Sequence, residues 1–246
     1  MKFDIIIASK GRPNCPTANL LAQGLRPDFS ILVEPQEQAA YEAQWPGRTI
    51  ALKEGHRGLA YARQSALELN GSQWYWMLDD DITGFYEARG GKCLTIKAAV
   101  CLALAEGLIL KEEQRVTTLG MAGLEYQQFA WRSKANVIRG GYCDVAVAIN
   151  REAKVDYDLN FKMKVDRDFT LSMMASGYSV IRTGRLAFSA PENGTNDGGL
   201  KQEYQKELAE MAMVEAMIAK WGTEICQHIV KPNGRHDVRI DWSKLA

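Results

Sequence analysis

The stretch Trp74-Tyr75-Trp76-Met77-Leu78-Asp79-Asp80-Asp81 joins an apolar, aromatic-rich run directly to three consecutive carboxylates. A short continuous apolar run is typical of a strand that is buried on both faces of a sheet. Adjacent carboxylates repel one another, and a divalent cation that carries a phosphate would offset that repulsion. Because alternate side chains of a strand share a face, we expect Asp79 and Asp81 on one face, with Cα atoms ~6.6 Å apart, and Asp80 on the other. The stretch therefore predicts a metal and nucleotide site; the alternative is an acidic turn that caps the next element.

Composition fits one soluble globular domain that spans residues 1–246. The chain is 46% hydrophobic and 24% charged, and its 30 basic and 30 acidic residues give a formal net charge of zero. The net charge of the molecule therefore gives no electrostatic attraction to nucleic acid, although a local patch of basic residues is compatible with a net charge of zero.

Cysteine usage and the N-terminus indicate a cytoplasmic protein. The five cysteines are an odd number and include no CxxC pair, so neither disulfides nor a zinc site are expected. This cysteine usage is typical of a protein in a reducing compartment. The N-terminal apolar run is short and contains Asp4, which favours a strand over a signal peptide. No stretch approaches the length of a membrane span, and no membrane partner is expected.

Strands and helices alternate in the first third of the chain. This rhythm predicts an α/β fold with a mostly parallel, Rossmann-like sheet flanked by helices. Ligands of such sheets bind at the carboxyl ends of the strands. The predicted strands are 3–8, 31–33, 49–52 and 74–78, and the predicted helices are 17–25, 36–45 and 58–69.

The remainder of the chain is less regular. Residues 191–199 are rich in Gly and Asn and are expected to form a loop, and a long amphipathic helix is predicted over 200–221. The other predicted helices are 96–111 and 167–176, and the predicted strands are 117–124, 142–149, 178–182 and 238–242.

The loop Ser9-Lys10-Gly11-Arg12-Pro13 follows the first predicted strand. It combines a small polar residue, a glycine and cations, which suits backbone donors and a charge near a phosphate. Its alternative is an ordinary turn. Arg57 and Arg63 flank the start of the helix 58–69 and are candidates for contact with a base or a diphosphate; their alternative is a solvated basic face.

Asp166 and Asp168 lie at the start of a predicted helix. Either carboxylate could act as a general base toward an acceptor hydroxyl, and Asp168 is slightly favoured. The alternative is that both simply stabilise the helix dipole. Asp156 and Asp158 are weaker candidates for the same role.

Four motifs in this order resemble GT-A fold glycosyltransferases. They are Lys10-Gly11-Arg12-Pro13, Ala62-Arg63-Gln64, Asp79-Asp80-Asp81 and Asp166-Arg167-Asp168. The second motif departs from the family, which has Ala-Arg-Asn. More narrowly, residues 74–82 and 231–242 resemble the TET/JBP-associated glycosyltransferases of phages, which are thought to modify hydroxymethylated pyrimidines in DNA.

The resemblance implies a transfer of a sugar from a nucleotide sugar, such as a UDP-sugar, in the presence of Mn²⁺ or Mg²⁺. It implies that Asp79 contacts the ribose or a metal-bound water, that Asp81 binds the metal, and that Asp166 or Asp168 is the base. The chain is also expected to divide into a nucleotide-sugar-binding half, 1–90, an acceptor and catalytic half, 91–199, and a C-terminal extension of a helix and a strand, 200–246. The acceptor-side C-terminal part is expected to be irregular. Ser9, Lys10, Arg12, Arg57, Arg63 and Asp80 would complete the donor site.

One family feature is not found in this sequence. Many metal-dependent GT-A enzymes add a C-terminal His ligand, whereas residues 189–199 contain none, and His228 and His236 lie in the tail. The third protein ligand of the metal is therefore left open.

An aromatic and basic stretch provides candidates for the acceptor site. Tyr126, Phe129, Trp131 and Arg132 could stack on or clamp an exposed nucleotide, with a packed loop as the alternative. Arg235 and Arg239 could contact phosphates of modified DNA, with ordinary surface charge as the alternative. Two other functions are compatible with the residues: nucleotidyl transfer to a sugar phosphate, and an inactive GT-A-like domain that binds nucleic acid or protein.

Overall fold

A ten-stranded mixed sheet lies at the centre of this computed structural model, which describes residues 2–23, 26, 28–192 and 208–245. The strand order is β3-β2-β1-β4-β9-β7-β10-β5-β6, and β8 also pairs with β10. Within the described part of the chain, seven of the ten strands run in one direction, and β5, β8 and β9 oppose them. The predicted α/β class with a mostly parallel sheet is confirmed.

The elements follow the chain in this order. The strands of the central sheet are β1 (Asp4–Ser9), β2 (Phe29–Val33), β3 (Thr49–Ala51), β4 (Trp74–Asp79), β5 (Gly84–Arg89), β6 (Lys92–Ile96), β7 (Leu119–Tyr126), β8 (Val137–Arg139), β9 (Ala146–Asn150) and β10 (Ser179–Ser189). The helices are α1 (Pro16–Ala22), α2 (Gln38–Gln44), α3 (Leu59–Glu68), α4 (Ala98–Glu113), α5 (Gln127–Ala130), α6 (Val165–Ala175) and α7 (Ala209–Trp221). A separate hairpin pairs β11 (Cys226–Val230) with β12 (His236–Ile240).

Strand β4 divides its apolar side chains between two cores. Trp74, Trp76 and Leu78 belong to one buried cluster, and Tyr75 and Met77 belong to the cluster on the other face of the sheet. All five are at most 2% exposed. The continuous apolar run is therefore explained by burial on both faces, and it ends where the strand reaches the carboxyl edge of the sheet.

The neighbours of β4 determine what surrounds the acidic residues. Strand β1 runs parallel to it with Ala8 opposite Asp79, so the loop after β1 opens beside the carboxylates. Strand β9 runs antiparallel with Ala146 opposite Leu78, so the segment that precedes β9 reaches the same edge. Its Val145 carbonyl accepts a hydrogen bond from the Asp79 N–H at 2.8 Å. Val145 has φ 62°, which is unfavourable for a β-branched residue.

Several element boundaries differ from the expectations. Strand β9 begins at Ala146 rather than at residue 142, because residues 140–145 form a loop. The sequence did not predict the hairpin of β5 and β6, nor β8 and β11. Residues 24, 25 and 200–207 of the predicted helices, and most of the predicted loop 191–199, lie outside the described residues.

Helix α7 and the β11–β12 hairpin pack on the face of the sheet that also carries α3 and α6. Val214, Met217, Cys226 and Val238 are buried in that second cluster. All five cysteines are free thiols; Cys93 is half-buried and the other four are buried. Among the described helices, none is long and apolar enough to cross a membrane.

Candidate active site

The turn that carries the acidic residues is fixed by the start of α1. The Thr17 hydroxyl donates to the Asp79 carbonyl at 2.6 Å and accepts from the Ile82 N–H at 3.0 Å. The Thr17 N–H donates to the Asp80 carbonyl at 3.2 Å. These bonds satisfy backbone groups of the turn, so the three carboxylates are presented by a rigid element.

Asp80 faces the loop after β1 and is only 4% exposed. The Ser9 hydroxyl donates to its Oδ2 at 2.5 Å, and Arg12 donates to its Oδ1. The Tyr41 hydroxyl lies 2.7 Å from Ser9 Oγ and accepts from the Arg12 N–H at 2.9 Å. Burial raises the pKa of Asp80 to about 6, and the Arg12 charge and the Ser9 hydrogen bond only partly offset it. A single guanidinium thus leaves this buried carboxylate incompletely compensated.

Asp81 shares Arg12 with Asp80, at 3.2 Å from Nη1 to Oδ2. The alternation of faces expected for the three carboxylates is wrong, because β4 ends at Asp79 and the next two residues lie in a turn. Only Asp79 retains its strand orientation.

Arg63 links Asp79 to Asp166. It lies on α3 with 2% exposure, its Nη2 atom is 2.7 Å from Asp79 Oδ1, and its Nη1 atom contacts Asp166 Oδ1. The next residue, Gln64, donates to Asp156 Oδ1 at 2.9 Å and accepts from the Tyr157 N–H at 2.9 Å. The Ala62-Arg63-Gln64 segment therefore ties the acidic edge of the sheet to the first turn of α6.

Asp168 is engaged elsewhere. Its side chain is 1% exposed and accepts from Lys220 Nζ at 2.9 Å and from Trp221 Nε1 at 2.8 Å. Both donors belong to α7, so this carboxylate faces the C-terminal helix, whereas Asp166 faces Arg63. Asp158 also pairs with Lys220, at 2.9 Å.

Asp144 is a neighbour of the acidic site that sequence reasoning missed. Burial raises its pKa to about 6; a hydrogen bond from Tyr126 opposes the shift, and the Asp79 charge adds to it. Burial and Asp144 also raise the pKa of the Tyr126 hydroxyl far above its usual value. The sequence does show an acidic residue directly before a buried strand. That position indicates the site only if β9 is known to run antiparallel to β4, because the start of β9 then lies where β4 ends.

Two predicted donor-site residues lie on adjacent loops. Lys10 Nζ is 3.5 Å from Glu34, a buried carboxylate that also accepts from the His56 N–H at 2.7 Å. Arg57 pairs with Glu54 at 2.5 Å, and its guanidinium lies over the Tyr61 ring at 5.2 Å. Both side chains are partly exposed, at 43% for Lys10 and 48% for Arg57.

The predicted acceptor residues divide into two groups. Tyr126 is beside Asp144 and packs on Phe188 at 4.6 Å, while Trp131 is 45% exposed, with the Arg132 guanidinium 4.6 Å over its ring. Arg235 and Arg239 belong to the C-terminal hairpin. Arg235 contacts Glu210, and Arg239 contacts Gln227 at 2.5 Å. The structure therefore places Tyr126 beside the carboxylate of Asp144, whereas Arg235 and Arg239 contact residues of the C-terminal segment.

The donor set at the end of β4 suits a hard cation. Asp79 and Asp81 supply carboxylate oxygens, and their side chains keep 31% and 22% exposure toward solvent. No group of three or more metal-binding side chains occurs among the described residues. A cation at this position would therefore need oxygen ligands from a diphosphate or from water in addition to the protein.

The sequence of this chain matches one protein family over most of its length. The model of the TET-associated glycosyltransferase family matches residues 3–199. The chain belongs to this family. The matched segment of this glycosyltransferase includes β1 to β10, the acidic residues, Arg63 and Asp166. Among curated proteins, none matches the sequence.

Solved structures with this fold include two kinds of GT-A glycosyltransferase. S. aureus TarS in complex with UDP is 12% identical with a TM-score of 0.51, over 76% of this glycosyltransferase and 59% of the TarS chain. TarS with UDP-GlcNAc is 11% identical with a TM-score of 0.52, over 89% and 67%. Mycobacterium tuberculosis glucosyl-3-phosphoglycerate synthase with Mg²⁺ and UDP is 8% identical with a TM-score of 0.54, over 97% and 87%. At these identities the likeness shows the GT-A fold.

Proposed function

We propose that this glycosyltransferase moves a sugar from a nucleotide sugar, such as a UDP-sugar, to the hydroxymethyl group of a modified pyrimidine in DNA. The observation that carries the proposal is the buried Arg63, which joins the donor-side carboxylate Asp79 to Asp166 on α6. One rigid group therefore sets the spacing between a nucleotide-binding edge and a candidate base, as the chemistry requires.

Donor binding would use the carboxyl edge of β1 and β4. Asp79 and Asp81 would hold Mn²⁺ or Mg²⁺, in keeping with the Mg²⁺ and UDP of the mycobacterial synthase. Bound there, the cation would neutralise charge on the diphosphate leaving group. Asp80 holds Arg12 beside Asp81, and Lys10, Arg57 and the Ser9 loop border the same edge.

Asp166 is our proposed general base. Its contact with Arg63 uses Oδ1, and the side chain keeps 22% exposure. Asp168, the other candidate, has its carboxylate engaged by Lys220 and Trp221. In the transfer, the acceptor oxygen forms a bond to the anomeric carbon as the bond to the diphosphate oxygen breaks, and the acceptor proton passes to Asp166. This course inverts the anomeric centre.

The acceptor would enter over Tyr126 and the exposed aromatic residues that follow it. Phe129 and Trp131 are each 45% exposed, which leaves their rings available to stack on an unpaired base. The hydroxyl must be presented to the sugar donor inside the protein site. A base that is stacked in a duplex cannot enter that site, so it would have to leave the stack.

Mass spectrometry of nucleosides tests the proposal. Hydroxymethylated DNA is incubated with the protein and a panel of sugar nucleotides, with Mn²⁺ or with EDTA. We expect a hexosyl- or pentosyl-modified nucleoside and release of a nucleoside diphosphate, both abolished by EDTA and by Asp81→Ala. Asp28→Asn removes an exposed carboxylate far from the site and is the matched control.

Three outcomes would contradict the proposal. Release of pyrophosphate would indicate nucleotidyl transfer. Full activity in EDTA would exclude the metal. Absence of any product, despite tight and salt-sensitive retention on DNA, would indicate a binding domain.

A further inference from the structure

The C-terminal extension, defined here as the described residues 208–245, lies beyond the family match, which ends at residue 199. It contains α7 and the β11–β12 hairpin. Its apolar side chains complete the second core, in which Val214 and Met217 are fully buried. The extension therefore packs on the face of the sheet that carries α6.

The first polar contact between the extension and α6 is at Asp168. Lys220 and Trp221, the last two residues of α7, both donate to this carboxylate. Because Asp168 is 1% exposed, the loss of either donor would leave part of a buried charge unpaired.

The second contact is at Asp237, on β12. Lys164 Nζ lies 2.7 Å from Oδ1, Arg167 Nη1 lies 2.6 Å from the same atom, and Lys231 Nζ lies 2.8 Å from Oδ2. Arg167 also donates to the Val238 carbonyl at 3.1 Å. Asp237 is 5% exposed, so three cations converge on one buried carboxylate.

The α6 residues that make these two contacts surround Asp166 in the sequence. Lys164 and Arg167 flank it, and Asp168 is two residues further. The first turn of α6 has no side-chain cap: Lys164 is the N-cap, with φ 60° and no side-chain capping bond. Cations at a helix N-terminus also oppose the helix dipole. Asp166 and Asp168 of the same turn favour the dipole, and Asp237 neutralises the two opposing cations, Lys164 and Arg167.

We propose that the C-terminal extension positions Asp166 for catalysis by holding the first turn of α6 through Asp237 and through the Lys220 and Trp221 donors to Asp168. This inference rests on the proposed function, in which Asp166 is the base. Asp237 and Trp221 are then positioning residues that act through α6. They would not contact the substrate.

Positioning and simple stabilisation make different predictions. If the extension only adds stability, its loss should affect the whole sheet and all kinetic constants together. If it positions α6, the proposed donor site at β1 and β4 should be affected much less, because the contacts of Ser9, Arg12 and Thr17 there do not involve α6.

Two conservative variants of the full chain test the proposal. Asp237→Asn keeps the shape and removes the charge, and Trp221→Phe removes the indole donor to Asp168. Glu215→Gln removes an exposed carboxylate from the same helix and is the control. Hydrogen exchange of the α6 amides is measured beside kcat and the KM for the donor.

We expect at least tenfold faster exchange of the hydrogen-bonded amides at the start of α6, from the Asp168 N–H onward, for both variants, while the amides of β1 and β4 stay protected over the same labelling time. We also expect a tenfold or greater fall in kcat, with the donor KM changed less than threefold. Glu215→Gln should match the unmodified protein in all measurements.

Unchanged exchange in α6, or an equal increase in exchange across β1, β4 and α6, would overturn the proposal. So would faster α6 exchange with an unchanged kcat. Hydrogen exchange needs no substrate, so a result at α6 stands even if no sugar transfer is detected. Failure of the proposed function is thereby distinguished from failure of this inference.

Discussion

Asp80 and Asp237 are buried to nearly the same degree, at 4% and 5% exposure, yet their pKa values shift in opposite directions. Burial raises the pKa of Asp80 to about 6 because one guanidinium and one hydroxyl do not offset it. Burial acts on Asp237 as well, but the Arg167 charge and hydrogen bonds from Lys164 and Lys231 outweigh it and hold the pKa well below its usual range. Three cations surround Asp237, whereas Asp80 has one cation and two neighbouring carboxylates, and this difference in local charge accounts for the opposite signs.

The carboxyl edge of β4 and the start of α6 therefore differ in how fully their negative charge is compensated. At the carboxyl edge of β4, negative charge is left partly uncompensated, which suits a cation that arrives with a ligand. At the start of α6, negative charge is more than compensated by the chain itself, which suits a structural role. Removal of a carboxylate should therefore have opposite consequences in the two regions.

The largest effect is expected from Asp166→Asn. Loss of the proposed general base should lower kcat by about 10²–10⁴, while the affinity for the donor stays within a few-fold. Single-turnover rates and calorimetric titration with UDP and Mn²⁺ measure the two quantities. If Asp168→Asn lowers kcat as much as Asp166→Asn without loss of stability, the base assignment is wrong.

Asp237→Asn should lower the free energy of unfolding by about 3–5 kcal/mol, because it leaves three cations without their buried counterion. Urea unfolding followed by circular dichroism measures it. Glu215→Gln provides the control, with an expected change within about 0.5 kcal/mol. A loss below 1 kcal/mol for Asp237→Asn would remove the contrast with Asp80.

Asp80→Asn should raise the free energy of unfolding by on the order of 1–2 kcal/mol at pH 7 in metal-free buffer. The folded pKa of Asp80 is raised, so its favourable contribution is present below the unfolded value and is lost as the pH rises through about 6. The gain should therefore be smallest near pH 4 and should grow toward pH 7. A gain that does not depend on pH would contradict this origin.

The smallest effect concerns the pH dependence of Asp237. Its folded pKa is lowered, so its contribution is present above the unfolded value and declines as the pH falls below about 4. The difference in unfolding free energy between the unmodified protein and Asp237→Asn should be roughly 1 kcal/mol smaller at pH 3 than at pH 7. Paired urea titrations at both values measure it.

The proposed donor side of the site could be predicted from the sequence because its parts are local. A buried run that ends in Asp79, and a loop with Ser9 and Arg12 after the first strand, need only the rule that parallel strands end at one edge. The structure brings Asp79, the Ser9 loop and Arg63 to the same edge of the sheet.

The other side depends on contacts between distant segments. Asp166 and Asp168 are two positions apart on a helix and point about 200° away from each other, so at most one can face the site. Which one does so depends on Lys220 and Trp221, more than fifty residues later. Asp144 was missed for a similar reason, since only the antiparallel direction of β9 brings it to the acidic edge.

The free thiols have a practical consequence. Cys15 precedes α1 beside the acidic turn, and Cys226 opens the C-terminal hairpin; both are fully buried, and burial raises both pKa values, to about 12 and about 11. Neither should react with a thiol reagent unless its own region opens. The native chain therefore carries a buried thiol in each region, and the alkylation rates of Cys15 and Cys226, resolved from those of the other three cysteines by peptide mass spectrometry, would show which region loosens first.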